Sequence, residues 1–232
     1  MEIKAVQIGD EGQLASRQLV ARFAAFRKAG SGAYPAASLQ AIGETLGTLE
    51  ALDRQYGGDG PLPLEGADDI VAAALTEIAR LTVNDSIPDL DDLAIGIALW
   101  AIRHEVELSP VEPVANALAY RANRVVSKQE LAAVFGLMQG LIAHIAPRLA
   151  SDLERSNPER PWRILHVNFA IVAIRSEDTA LMDYAFDALE GALPDESGSF
   201  FAEAMARALA PGIAPAVRER IEARHLKWTP PH

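Results

Sequence analysis

The most distinctive pattern in the chain is an apolar run over residues 93–102 that three aspartates precede. Asp89, Asp91 and Asp92 follow Pro88, and acidic side chains at a helix start satisfy free N–H groups and favour the positive end of the helix dipole. On a helix the run is apolar on nearly every side, which is typical of a helix enclosed by other elements. It has about half the length that a bilayer crossing needs. The sequence therefore predicts a buried core helix that begins just after Pro88.

Glycine and proline divide the rest of the chain into segments with helical periodicity. Within each segment apolar residues recur every three to four positions, as on one face of a helix. A capping box of Ser127 and Glu130 marks the start of one long helix. Besides the central helix, the predicted helices cover about 11–29, 36–56, 67–81, 109–124, 127–149, 178–193, 199–210 and a last segment that ends near 226.

The apolar segment 162–174 admits two interpretations. Its β-branched content and the alternation of Val167, Phe169 and Ile171 would suit a strand. A lone strand would have no partner among helices, so we predict a buried helix. The expected fold is all-α, with about ten helices packed as a stack or bundle and no substantial β-sheet.

We expect one domain over residues 1–232. The glycine- and proline-rich stretch 57–63 is the best candidate for a linker, and it would set off an N-terminal helical subregion over 1–57.

Two octets of the chain are alike. Residues 98–105 read ALWAIRHE and residues 170–177 read AIVAIRSE, each behind a break that contains proline. Duplication of a helical unit would explain the likeness, and so would chance, since alanine, isoleucine, arginine and glutamate are common in helices. The layout resembles helical-repeat proteins of the tetratricopeptide or HEAT type in architecture only, because their repeat signatures are absent.

Composition narrows the classes of partner and compartment. The net charge is −11 and the pI about 4.9, which argues against nucleic acid or an anionic membrane surface as partner. The absence of cysteine excludes disulfides, thiolate metal sites and cysteine nucleophiles. The N-terminus lacks the basic start and apolar core of an export signal, so we expect a cytoplasmic protein.

Two histidines on apolar helices are the candidates for chemistry. If their helices pack side by side, both imidazoles would line one small-ligand pocket with aromatic and basic neighbours. The predicted pocket residues are Trp100, Arg103, His104, Tyr120, Arg124, Trp162 and His166. The alternative interpretation is structural: a single histidine on an apolar face is commonly a hydrogen-bonded core residue, and buried tryptophans commonly fill space.

No metal or cofactor is predicted. Glu222 and His225 form one Glu-x-x-His pair, whereas two-iron sites in helix bundles need two such pairs and further glutamates. The aspartates after Pro88 are explained by the helix start, and no phosphate loop or dinucleotide fingerprint occurs.

The sequence thus favours a non-enzymatic cytoplasmic scaffold that binds a protein or peptide, and a basic partner would suit its acidic surface. The alternative is a small-ligand binder or enzyme that uses the neighbourhood of His104 and His166. Whether any reaction is catalysed stays open, and the many apolar helix faces also admit homo-oligomers.

Overall fold

The computed structural model describes residues 16–29, 34–84, 87–149 and 161–229, and for 147–149 the backbone alone. Within these ranges the chain forms ten α-helices and no strand, which confirms the all-α prediction. The helices are α1 Leu19–Ala29, α2 Ala36–Tyr56, α3 Ala67–Thr82, α4 Pro88–Arg103, α5 Glu112–Arg124, α6 Lys128–Leu149, α7 Pro161–Ser176, α8 Thr179–Ala192, α9 Pro194–Ala208 and α10 Pro215–Trp228. Segment 162–174 is therefore helical. The first residues of the predicted 11–29 helix and the predicted breaks at 30–32 and 157–160 lie outside the described residues. Among the described ones Gln18 is not helical, so the prediction of one unbroken helix up to Ala29 was wrong.

Local sequence explains where several helices begin and end. Proline occupies the first turn of α4, α5, α9 and α10, where its missing N–H would have no helical partner anyway. Asp178 caps α8 by accepting from the backbone N–H groups of Ala180 and Leu181. In the predicted capping box, Ser127 Oγ accepts from the backbone N–H of Glu130 at 3.2 Å.

Three other predicted helix boundaries were also wrong. Helix α5 begins at Glu112 and not at 109, because Pro113 and not Pro110 stands in its first turn. Helix α9 begins at Pro194, five residues before the predicted start, and Gly198 lies inside it. Helix α10 ends at Trp228, two residues beyond the predicted end near 226.

The serines beside Gly198 explain why α9 tolerates a segment that reads as a loop. The hydroxyl of Ser197 donates to the Leu193 carbonyl and that of Ser199 to the Glu196 carbonyl, both at 2.9 Å. Each hydroxyl thus bonds to the preceding turn, which removes its competition with the helix backbone.

Helix α4 is the interior rod that its sequence predicts. All residues from 93 to 101 are buried, and α4 packs against α1, α3, α5 and α6. Asp89 and Asp91 lie in its first turn, but the N-cap is Ile87, which makes no side-chain cap bond. The aspartates therefore favour this helix start through the helix dipole, and none of them occupies the N-cap position.

One hydrophobic cluster connects residues from every helix from α1 to α10. Chain neighbours pack together, most extensively α6 with α7, α7 with α8 and α9 with α10, while α5 also packs on α7. Most of the contacts therefore join consecutive helices, as in a stack.

Helix α6 has the length and apolar composition of a membrane-crossing helix over Lys128–Ala146. About two fifths of that stretch, 39%, is buried inside the protein, with Val134, Phe135 and Met138 in the core. Core helices of water-soluble proteins meet the same criterion, so the prediction that membranes are no partner stays a prediction.

Candidate functional site

The predicted site residues on α4 meet at a carboxylate that the sequence did not single out. Asp53, in the last turn of α2, accepts from three side chains of α4. The distances are 2.7 Å from Trp100 Nε1, 2.8 Å from Arg103 Nη2 and 2.8 Å from His104 Nε2. His104 Nδ1 lies 2.9 Å from the Gly60 carbonyl oxygen. We call these five residues the Asp53 cluster.

The Asp53 cluster is largely shielded from water. His104 is 1% exposed, and the side chains of Arg103 and Asp53 are 10% and 18% exposed. These contacts match the structural interpretation of His104, in which the ring is a hydrogen-bonded core residue. A signal for Asp53 was present in the sequence, since it follows Leu49 by four residues and so continues an apolar stripe.

Trp162 and His166 form a second, separate pair on α7. Both are buried, and the ring centroids are 4.2 Å apart. His166 Nδ1 donates to the Trp162 carbonyl at 2.8 Å, which is a bond within one helix turn.

Tyr120 and Arg124 lie one turn apart on the surface of α5. Arg124 Nη1 donates to the Tyr120 hydroxyl at 3.3 Å, and its guanidinium carbon lies 5.1 Å from the ring centroid. The described contacts of His104, His166 and this pair thus place the seven predicted residues in three different surroundings. A pocket that would join the two histidines stays a prediction.

A cavity of about 250 Å³ lies elsewhere, between α7, α9 and α10. Its lining includes none of the seven predicted residues. We call it the α7–α10 groove. Its apolar walls include Ile171 and Ile174 of α7, Phe200 and Ala204 of α9, and Val217 and Ile221 of α10. The signal available in the sequence was the pair Ala204 and Ala208, since small residues four apart on one helix face leave room beside it.

The charged residues that line the groove already have partners. Glu203 and Arg207 on α9 pair with each other at 2.6 Å and are both exposed. Arg175 donates to the carbonyls of Ala122 and Val125 at the C-terminal end of α5. The C-terminal end of a helix carries unpaired carbonyls and partial negative charge, so the guanidinium charge of Arg175 is stabilised there without a carboxylate. The groove therefore offers a mainly apolar surface.

Helix α10, the third wall, is fastened by Glu190 of α8. Trp228 Nε1 donates to Glu190 at 2.8 Å and Arg224 Nη1 at 3.0 Å, and Lys227 binds the same carboxylate. Burial by itself would raise the pKa of Glu190, but the hydrogen bonds from Lys227, Trp228 and Arg224 outweigh it and lower the pKa. The carboxylate is thus ionised at neutral pH and fixes the end of α10.

Among the described residues, no group of three or more histidines, aspartates or glutamates is placed to hold a metal ion. Comparison with known protein families, with characterised proteins and with solved structures finds no match.

Proposed function

We propose that the protein is a non-enzymatic helical binding module, and that the α7–α10 groove accepts an amphipathic helix of a partner protein. The observation that carries the proposal is the apolar lining of this groove between three helices. Leu209, which follows the lining residue Ala208 in the chain, is 65% exposed. Amphipathic helices bind by placing apolar side chains into grooves of this kind.

The size of the groove favours a helix over a cofactor-sized molecule. Its α9 wall runs from Phe200 to Ala208, about 12 Å at the rise of an α-helix, which is about two turns. Small-ligand pockets usually measure about 300–1,000 Å³. A volume near 250 Å³ is below that range, and it suits a few aliphatic side chains from successive turns of one helix.

The charge of the whole protein favours a basic partner. Glu203 and Arg207 balance each other at the edge of the groove, and Arg175 is engaged by carbonyls. Over the whole chain the net charge is −11, which attracts a basic helix at long range. Lysine or arginine on the polar face of the partner helix would speed association.

The alternative function, a ligand or catalytic pocket around His104 and His166, has less support. Both ring nitrogens of His104 are already hydrogen-bonded within the protein, and its ring is almost fully buried. A substrate would have to displace Asp53 or the 57–60 loop before it reached the imidazole.

The proposal is tested with two synthetic amphipathic helices that share a leucine face and carry either lysine or glutamate on the polar face. Binding to the full chain is measured by calorimetry. We expect the lysine peptide to bind more tightly than the glutamate peptide. We also expect Ala204→Arg to weaken lysine-peptide binding at least about tenfold, because the new side chain fills the groove.

Ala206→Arg is the matched control. Ala206 lies two residues away on α9 but is exposed and does not line the groove, so this variant changes charge and helix propensity equally. Equal weakening by both variants, or no weakening by either, would refute the groove as the binding surface. Concentration-dependent dimers that Ala204→Arg abolishes would assign the groove to a second copy of this chain, and saturable decanoate binding without peptide binding would assign it to a small amphiphile.

A further inference from the structure

The two ring nitrogens of His104 both face oxygen atoms that can only accept hydrogen bonds. Nδ1 lies 2.9 Å from the Gly60 carbonyl oxygen, and Nε2 lies 2.8 Å from Asp53 Oδ1. The Asp53 carboxyl receives further donors, Trp100 Nε1 at 2.7 Å and Arg103 Nη2 at 2.8 Å. A carboxyl group surrounded by donors is held as the carboxylate, which has no proton to give back to the ring.

A neutral imidazole cannot satisfy both contacts. It carries one N–H, so either tautomer would leave a nitrogen lone pair facing an oxygen at hydrogen-bond distance. Turning the ring over would place carbon atoms at both positions and lose both bonds. We infer that His104 is a doubly protonated imidazolium, and that it acts as a pH-sensitive clamp between the end of α4 and the 57–60 loop.

Two helix ends favour a positive charge at this point. His104 is the C-cap residue of α4, and Asp53 lies one turn before Gly57, the C-cap of α2. The C-terminal end of a helix carries partial negative charge, which stabilises a nearby cation. In a region shielded from water these interactions are stronger than at the surface.

The other charged groups near His104 lie on α4, on α2, in the loop at Asp59 and just before α1. Arg103 precedes His104 on α4 and contacts Asp53 of α2, and its Nη1 lies 3.9 Å from Asp59 of the loop. Asp59 is in turn paired at 3.0 Å with Arg17, which precedes α1. Of the residue types in the cluster, histidine is the one whose ordinary titration range lies between about pH 5 and 8.

The clamp holds the connection between α2 and α3. The backbone N–H of Gly60 donates to the Arg103 carbonyl at 3.2 Å, and that of Leu62 to the His104 carbonyl at 3.4 Å. The stretch therefore lies against the end of α4. When His104 loses a proton as the pH rises, one of its two bonds is lost.

The test is ¹⁵N NMR of the full chain between about pH 5 and 8, the range in which histidines titrate. At the acid end we expect both His104 ring nitrogens to show the shifts of protonated nitrogens. As the ring loses a proton, hydrogen exchange of the Gly60 and Leu62 amides should rise about tenfold beyond the ordinary effect of pH on exchange.

His104→Gln removes the titration but keeps one donor and one acceptor, so its loop amides should show only the ordinary effect of pH. His144→Gln is the matched control, because His144 Nε2 bonds the Val106 carbonyl at 2.9 Å outside the cluster. It should retain the wild-type behaviour. A single-tautomer neutral ring at the acid end, or the same pH dependence of loop exchange in wild type and His104→Gln, would overturn the inference. The shift measurement needs only the wild-type protein and stands even where a variant fails to fold.

Discussion

Helices α4 and α7 end in similar octets, residues 98–105 and 170–177, but these two helix ends have different surroundings. Both helices are followed by a non-glycine residue in the left-handed region, Glu105 with φ 54° and Glu177 with φ 58°. In both, an arginine two residues earlier reaches the C-terminal end of a preceding helix. Arg103 binds the Asp53 carboxylate on α2, and Arg175 binds backbone carbonyls at the end of α5. The likeness thus extends from sequence to backbone geometry at these two helix ends, and duplication of a helical unit stays a prediction.

The two helix ends differ in the residue between the arginine and the glutamate, which is His104 at the end of α4 and Ser176 at the end of α7. His104 ties α4 to another part of the chain, whereas the Ser176 hydroxyl bonds its own segment, donating to Ala173 and accepting from the Asp178 N–H. The α4 end is therefore a closed polar cluster. The α7 end borders an open apolar groove. One helix-ending pattern thus supports two kinds of site, and the side chains packed around it decide which.

Trp100 and Val172 occupy the same position in the two octets, and both are 0% exposed. Replacing each with alanine should give the largest difference in stability between the α4 and α7 regions. We expect Trp100→Ala to lower the free energy of unfolding by about 4 kcal/mol, through the cavity and the lost bond to Asp53. Val172→Ala removes two methyl groups and should cost about 2 kcal/mol. Urea denaturation monitored by circular dichroism measures both free energies of unfolding. Equal losses would contradict the larger contribution expected from Trp100.

Acid should weaken the groove side of the molecule through Glu190. Its pKa is lowered in the folded protein by the donors on α10, so its stabilising contribution is present above its unfolded pKa and is lost as the pH falls through the folded pKa. Glu190→Gln should cost about 2 kcal/mol at neutral pH, as for a hydrogen bond to a charged group, and the difference from wild type should shrink on acidification. Thermal unfolding across this pH range tests it, and a difference that stays constant with pH would argue against the assignment.

The smallest change in stability is expected at Glu105 and Glu177, the left-handed residues that follow α4 and α7. Glu105→Gly relieves a left-handed conformation and should stabilise the protein by up to about 1 kcal/mol. Glu177→Gly relieves the same strain but removes the exposed ion pair with Lys128, so its gain should be smaller. Comparison of the two midpoints in urea decides whether the helix ends are equivalent, and destabilisation by both changes would show that they are not strained.

Much of the fold could be predicted because its causes are local. The all-round apolar run of α4, the capping box at Ser127 and the periodic stripes are visible within one or two helical turns of sequence. The predicted starts of α5 and α9 were wrong because a proline or serine can either open or continue a helix, depending on the carbonyls of the preceding turn. Ser197 illustrates this, since its bond to Leu193 keeps it helical.

The candidate sites could be predicted only in part. His104, Trp100 and Arg103 were recognised as polar or aromatic residues on an apolar helix, but their shared partner Asp53 belongs to another helix. The groove depends on three helices, and no short stretch of sequence contains its shape.

The sequence by itself determined the helices, the burial of α4 and the acidic character of the protein. Periodicity and proline positions act within a few residues, and net charge is a simple sum over the chain. Only the tertiary structure decided that His104 meets a carboxylate 51 residues earlier and that α7, α9 and α10 leave an apolar groove between them. Such contacts join residues distant in the chain, and packing selects them by shape and burial, which the local pattern does not encode.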